Sequence, residues 1–228
     1  MRDNNRRINP HTNYNMVKSK YAIGVGVKAI IFDLGNVLID FDHRIAAEKL
    51  CKFTDKTVEE MFELFFDSEL TALFEEGKIS GLQFFSRVKE MLNLRLGYDE
   101  FVPIWNQIFF FTEKNLTVYN LARRLKNRYK IALLSNINIL HLEYVKKTLP
   151  VLNTFQMITS FELGLRKPQS QIYQKTLEIL GVSPGDCFYT DDRPELIESA
   201  KGLGIKGFVF RDSEQLKKDL QGAGINIK

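Results

Sequence analysis

Four short runs constrain this chain most: KAIIFDLG (28–35), KIALLSN (130–136), DCFYTDD (186–192) and GFVF (207–210), with a weaker fifth, MITS, at 157–160. Each opens on continuous rather than alternating apolar residues, the pattern of strands covered on both faces by helices. Helical patterns lie between them. Residues 115–128 place Leu116, Tyr119, Leu121 and Leu125 between charged positions. Ile172, Tyr173, Leu177 and Leu180 recur at helical spacing after Pro168, a residue tolerated in a first helical turn. A third pattern, 194–203, begins at Pro194 and stops before Gly204. Strand and helix in alternation indicate an open parallel α/β sheet.

The stretch 43–112 differs. It has no convincing strand, and its apolar residues are large, among them Leu50, Met61, Phe65, Phe66, Phe74, Phe84, Val88, Phe101, Trp105, Phe109 and Phe110. Their three- and four-residue spacing suggests amphipathic helices bundled as an inserted cap. The expected organisation is an N-terminal extension over 1–27, a core over 28–42 and 113–228, and a helical cap over 43–112. With 228 residues, the chain is long enough for one well-buried core and a smaller module.

Charge narrows the function classes. The net +4 is local: residues 1–28 carry six basic residues against Asp3, so the remaining 200 sum to −1. The body has no basic excess to support nucleic-acid binding. No apolar stretch approaches the roughly 20 residues that cross a bilayer. The Asn-rich opening, MRDNNRRINPHTNYNMVKSKYAIGVG, has no apolar core of a secretory signal and reads as a loose extension. A cytoplasmic location, with reduced Cys51 and Cys187 as small buried hydrophobes, is the corresponding expectation.

In open α/β sheets, ligands bind beyond the carboxyl ends of the strands. Three runs here end in polar groups: Asp33, Ser135-Asn136, and Asp191-Asp192. Lys167 stands where the helix after the weaker strand is expected to open. Acids gathered at one edge would repel without a cation, and a hard divalent ion such as Mg²⁺ suits a small carboxylate pair. A hydroxyl, an amide and an ammonium beside them would attract a phosphoryl group. Taken singly, each strand-end acid serves equally well as a turn or helix cap. Their order along the chain is what argues for a site.

These motifs resemble those of the haloacid dehalogenase-like hydrolase superfamily. IIFDLGNVLIDFD is similar to its first motif, ALLSN to the second, GLRKP to the third and CFYTDD to the acidic fourth. The run 164–205 resembles the C-terminal half of family members, and FEEGKIS (74–80) resembles a phrase of their helical caps. The likeness spans Lys28 to Phe210 and is closest to the phosphatase-like branch that includes sugar-phosphate phosphatases. It implies a Rossmann-like core with an inserted cap, and hydrolysis of a small phosphorylated metabolite, a sugar phosphate being one candidate. Asp33 would be the nucleophile, forming an aspartyl-phosphate. Asp33, the Gly35 carbonyl and Asp192 would hold Mg²⁺, with Asp191 supporting the metal's surroundings. Ser135 and Asn136 would contact phosphoryl oxygens, and Lys167 would neutralise phosphate and nucleophile.

One departure bears on turnover. Phosphatases of the family usually carry an acid/base aspartate at the position held here by Gly35. Asp40 and Asp42 lie near in sequence but beyond the turn; Leu196 replaces a frequent Asp or Asn. A phosphate-ligand binding protein with little turnover is therefore an alternative, and a haloacid dehalogenase a further one, opposed by Asp191 and Asp192. His43 opens the cap and could face the cleft, whereas His141 reads as a helix-surface or capping residue. Phe41, Phe74 and Trp105 are candidate pocket aromatics. Arg123, Arg124, Lys126 and Arg128 read as a solvated helix face.

Overall fold

The central strand, β1 (Ala29–Phe32), has the sequence AIIF with every side chain buried. The computed structural model describes residues 26–66 and 68–228, so the expected N-terminal extension lies almost wholly outside the described residues. The other strands are β2 (Asp40–Phe41), β3 (Phe109–Phe110), β4 (Lys130–Ser135), β5 (Gln156–Thr159), β6 (Cys187–Asp191) and β7 (Lys206–Val209). Five of them form a parallel sheet in the order β5-β4-β1-β6-β7. All five apolar runs read from the sequence hold one of these strands.

Five helices lie between β2 and β3: α1 (His43–Leu50), α2 (Val58–Phe65), α3 (Glu69–Glu75), α4 (Gly81–Leu92) and α5 (Tyr98–Asn106). They surround their own apolar cluster, in which Phe65, Phe74, Phe84, Phe101 and Trp105 are fully buried. Local chemistry starts these helices where they start. Thr57 with Glu60 and Ser80 with Gln83 form reciprocal capping boxes at α2 and α4, and Asn93 ends α4 in the left-handed conformation.

The core helices are α6 (Glu113–Leu125), α7 (Ile139–Thr148), α8 (Ser160–Leu163), α9 (Ser170–Leu180), α10 (Pro194–Lys201) and α11 (Ser213–Gly222). Strand pleating sorts the sheet's side chains between them. Ile30, Phe32, Leu133 and Phe188 point to one face, against Val118, Leu121, Val145 and Leu216. Ala29, Ile31, Leu134 and Tyr189 point to the other, against Ile172, Tyr173, Leu177 and Ile197. Burying each large aliphatic or aromatic side chain here is worth roughly 1.5–3 kcal/mol.

Several expectations need correction. The stretch 43–112 does contain a strand, the two-residue β3, which pairs antiparallel with β2. Leu116 is exposed; the inward face of α6 is Asn115, Val118, Leu121, Ala122 and Leu125, a three- and four-residue spacing that leaves Leu116 off the stripe. Pro168 lies outside α9, whose N-cap is Gln169, and it follows a cis peptide bond with Lys167. Lys167 therefore sits in the α8–α9 connection and does not open a helix. Cys187 is buried as expected, whereas Cys51 is half-buried. Arg123, Arg124, Lys126 and Arg128 are exposed.

Candidate active site

Asp33 leaves the end of β1 with its backbone N–H bonded to the Thr190 carbonyl, 2.8 Å, and so is registered against β6. The chain then turns sharply. Leu38 and Ile39 donate N–H to the Leu34 carbonyl at 2.9 and 3.0 Å, and Asn36 donates to Ile39 at 2.7 Å. Asn36 is the turn's left-handed residue, with φ 56°, a conformation that asparagine tolerates. Its side-chain amide donates to Asp192 Oδ2 at 2.9 Å, tying the turn after β1 to the end of β6.

Lys167 comes from a separate connection and is seated by Asn136. The Asn136 carboxamide accepts from the Lys167 N–H at 2.8 Å and donates to its carbonyl at 2.9 Å. From that clamp the buried Lys167 ammonium donates to Asp33 Oδ1 and Asp191 Oδ2, both at 2.6 Å, and to the Leu134 carbonyl at 3.1 Å. Asn136 was expected on the phosphate; here its recorded bonds brace Lys167 while it also lines the cavity. Ser135, at the end of β4, lines the same cavity, its hydroxyl making a marginal 3.5 Å contact with the Asn136 carbonyl.

Asp191 is fully buried, with both oxygens engaged. One accepts from Lys167 and from the Tyr189 hydroxyl, the other from the Arg193 N–H at 3.0 Å. These bonds make Asp191 an anchor for Lys167. Asp192 is half-buried and lines the cavity.

Charge is out of balance at this edge. Asp33, Asp191 and Asp192 each offer an oxygen, all within 4.8 Å of one another. With all three ionised, three carboxylates would face one ammonium, an excess of two negative charges. Burial, then Asp191, pushes the Asp33 pKa up to about 7, against the opposing pull of Lys167. Burial likewise raises Asp192. Burial alone would lower the Lys167 pKa, but Asp191 and Asp33 outweigh it and hold the ammonium charged. A hard divalent cation on this all-oxygen set would remove the excess, so the residues present fit Mg²⁺.

Above the acids lies a cavity of about 350 Å³. The cap's share of its wall is Phe65, Phe66, Thr71 and Glu75, joined by Phe41, His43, Ile108 and Phe109 near the β2–β3 pair. Phe74 and Trp105, expected as pocket aromatics, are instead packed in the cap's interior and do not line the cavity. Sequence reading missed Glu75 and Arg166, an ion pair at 3.1 Å across the cavity wall. The two residues lie far apart in sequence, Glu75 within FEEGKIS and Arg166 within GLRKP, and neither motif by itself shows that they pair. Leu196 lines the cavity as an apolar residue.

Gly35 lies beneath the Phe41 ring, which would have to shift to admit a side chain there. Its φ is not left-handed; a Cβ there would lie 2.6 Å from Cε1 of Phe41, closer than a real contact permits. The Phe41 ring occupies the place a side chain at 35 would take. The nearby acids are bound elsewhere: Asp40 accepts from Lys114 at 2.6 Å and Asn115 at 3.2 Å, and Asp42 caps α1 through the Arg44 N–H at 2.8 Å. His43 reaches the cavity, with its ring 5.5 Å from Phe41 and no hydrogen-bond partner for Nδ1 among the described residues. Burial lowers its pKa to about 4. His141 is buried, contrary to the surface expectation, and stacks on Trp105 at 4.7 Å. Its Nδ1 lies 3.0 Å from the Asn138 amide and its Nε2 3.2 Å from the Trp105 carbonyl, which suits a neutral ring protonated on Nε2.

Residues 27–204 match the family model of haloacid dehalogenase-like hydrolases. The chain is 25% identical over 202 residues to a D-ribitol-5-phosphate phosphatase of Bacteroides thetaiotaomicron, covering 85% of this chain and 97% of that protein. It is 41% identical over 64 residues to a flavin mononucleotide hydrolase of Arabidopsis thaliana, 28% of this chain and 26% of that one. A crystal structure of a HAD family enzyme from Bacteroides thetaiotaomicron in its magnesium complex superposes with a TM-score of 0.73 at 27% identity, covering 85% of this chain and 98% of the other. Catalytic-edge geometry, sheet order and sequence match agree: this chain belongs to the haloacid dehalogenase-like hydrolase family.

Proposed function

We propose that the protein is a Mg²⁺-dependent phosphatase that hydrolyses a small phosphate monoester through an aspartyl-phosphate on Asp33. The observation that carries this reading is Lys167, buried and 2.6 Å from both Asp33 and Asp191 at the floor of the cavity between core and cap. That arrangement supports attack by a carboxylate on an anionic phosphorus centre, since the ammonium offsets charge on both. The relatives are consistent: one is a phosphatase of a sugar-alcohol phosphate, which keeps sugar phosphates within the proposed class.

Asp33, the Gly35 carbonyl and Asp192 would hold the metal, which when bound supplies positive charge where two anions must meet. An Asp33 oxygen bonds to phosphorus as the bond from phosphorus to the ester oxygen breaks. That oxygen leaves with the electron pair and ends as the alcohol with a proton drawn from water. Ser135 donates to a phosphoryl oxygen and Lys167 neutralises the developing charge. Asp191 and Asn136 keep Lys167 at its post from opposite ends, side chain and backbone. Water then attacks the aspartyl-phosphate, breaking the bond to Asp33 Oδ and releasing inorganic phosphate. The cap helices cover the cavity and limit bulk water during transfer. A cytoplasmic site of action belongs to the same proposal; among the described residues no helix is long and apolar enough to cross a membrane.

The test is phosphate release from sugar and nucleotide phosphates with and without chelator, beside Asp33→Asn. The variant is expected to lose at least roughly 10³-fold in kcat, as removal of a nucleophile does. Ligand binding without release above the Asp33→Asn background would instead identify a binding protein. Chelator-insensitive halide release from a haloacid would identify a dehalogenase.

A further inference from the structure

We propose that the substrate is the phosphate monoester of an aromatic alcohol, with a flat body of one or two rings, in preference to a polyol phosphate. The reason is an arc of aromatic rings that starts beside the nucleophile and ends on the cap at a ring left exposed. The inference rests on the phosphatase reading above and narrows its substrate class.

The arc can be followed ring by ring. Phe41 lies over Gly35, two residues beyond Asp33 in the chain. Its ring centroid is 6.3 Å from that of Phe109 and 5.5 Å from that of His43, and His43 is 6.2 Å from Phe66. All four line the cavity. Packing within the protein does not account for the last of them. Phe65, the preceding residue, is fully buried edge-on against Trp105 at 4.8 Å, whereas Phe66 is 44% exposed. Phe66 is nonetheless held from behind. Its ring stacks on Phe62 at 5.5 Å with 7° between the planes, and the Arg44 guanidinium lies 4.5 Å from the Phe62 centroid. A fixed, exposed ring on the wall of a concave site is surface that a ligand covers on binding.

The chemistry of this wall selects between bodies. A flat ring laid on the arc exchanges water for offset or edge-to-face contacts with Phe41, Phe66 and Phe109 while burying its own apolar area. A polyol in the same place presses hydroxyls against ring faces, where they give up water for no comparable acceptor. Thr71, a hydroxyl on the cap side of the cavity, is already turned to the Leu64 and Phe65 carbonyls at 3.1 and 3.2 Å. Volume sets the upper bound. About 350 Å³ is near the lower end of the roughly 300–1,000 Å³ of small-molecule sites, which suits one or two rings beside a phosphate.

The experiment compares kcat/KM, with Mg²⁺ present, for naphthylmethyl, benzyl and cyclohexylmethyl phosphate and for ribitol 5-phosphate. Each releases a primary alcohol, so the comparison reads the body rather than the leaving oxygen. The naphthylmethyl and benzyl esters are expected to exceed ribitol 5-phosphate by at least roughly 10-fold, and benzyl to exceed cyclohexylmethyl by about 3-fold or more. Phe66→Ala should lower the ratio of the naphthylmethyl to the ribitol value by about 10-fold, and Phe66→Tyr, which keeps the ring, should retain it. Ribitol 5-phosphate matching the aromatic esters would overturn the proposal. So would cyclohexylmethyl matching benzyl phosphate, or a ratio that Phe66→Ala leaves unchanged. Should a variant not fold, the ester series on the unaltered protein decides alone. Phosphate release from no ester, or release that survives Asp33→Asn, would instead sink the phosphatase reading, and this inference with it.

Discussion

The acidic edge of the sheet and the aromatic wall of the cap face each other across one cavity, and they are held by different means. At the edge, position comes from directed bonds: Asn36 to Asp192, Asn136 to both ends of the Lys167 peptide, and Lys167 to two carboxylates. On the wall, position comes from ring packing, as with Phe66 stacked on Phe62 at 5.5 Å and His43 against Phe41. Directed bonds fix a few atoms to within tenths of an ångström, which charge transfer requires. Ring contacts fix a surface, which is enough to choose a substrate's body. The difference separates reaction from selection.

The contrast breaks most visibly at Lys167. Replacing it with Met leaves Asp33 and Asp191 buried without their cation and should cost about 3–5 kcal/mol by urea unfolding. The loss should be larger at pH 8 than at pH 5. Asp33 already has a folded pKa raised to about 7, so its stabilising contribution is complete only below the unfolded value and fades as pH rises through the folded one. Removing Lys167 raises that pKa further. Equal losses at both pH values would show that the ammonium does not hold the acids together.

A smaller effect is expected on the wall side, on acidification. His43 has a folded pKa of about 4 against an ordinary 6.5, so its contribution is complete above pH 6.5 and is lost as pH falls towards 4. Loss of roughly 3 kcal/mol over that window is expected from His43, with His141 adding to it, and His43→Phe should flatten the profile. A profile unchanged by that substitution would mean that His43 titrates alike in the folded and unfolded chain. The smallest effect sharpens the division. Phe66, 44% exposed, should cost under about 1 kcal/mol of stability when changed to Ala. The same change should raise KM for the hydrolysed phosphate monoester several-fold with kcat kept.

The two sides were also unequally legible in the sequence. Asp33, Ser135 and Asp191-Asp192 announce themselves because a buried strand must stop where polar groups begin, and a parallel sheet brings such stops together. Lys167 was found through its motif, although its neighbour Pro168 suggested a helix start that the chain postpones to Ser170. The wall gave no comparable sign. Phe65 lines the cavity and Phe74 does not, yet both are cap phenylalanines at helical spacing; only the rotation of each helix distinguishes them. The occlusion of Gly35 by Phe41 depends on a six-residue turn and on a strand pair of two residues each, too short to leave a periodic trace. Leu116 shows the same dependence on rotation, since α6 turns Val118, Leu121, Ala122 and Leu125 inward and leaves Leu116 outside.

That short ribbon has a mechanical consequence. The outgoing chain at Asp40–Phe41 and the returning chain at Phe109–Phe110 run side by side, with the Asp42 N–H bonded to the Ile108 carbonyl at 3.0 Å. The five-helix unit is also fastened to the core on the far side of the cavity, where Glu75 pairs with Arg166 at 3.1 Å, the Glu75 carbonyl accepts from the Ser160 hydroxyl at 2.7 Å, and Glu76 accepts from the Gln169 amide at 2.7 Å. Phe41 and Phe109 both stand on the ribbon. A change in the ribbon's pairing would therefore shift the ring that lies over Gly35, so the seating of the cap and the space beside Asp33 are set by the same two short strands.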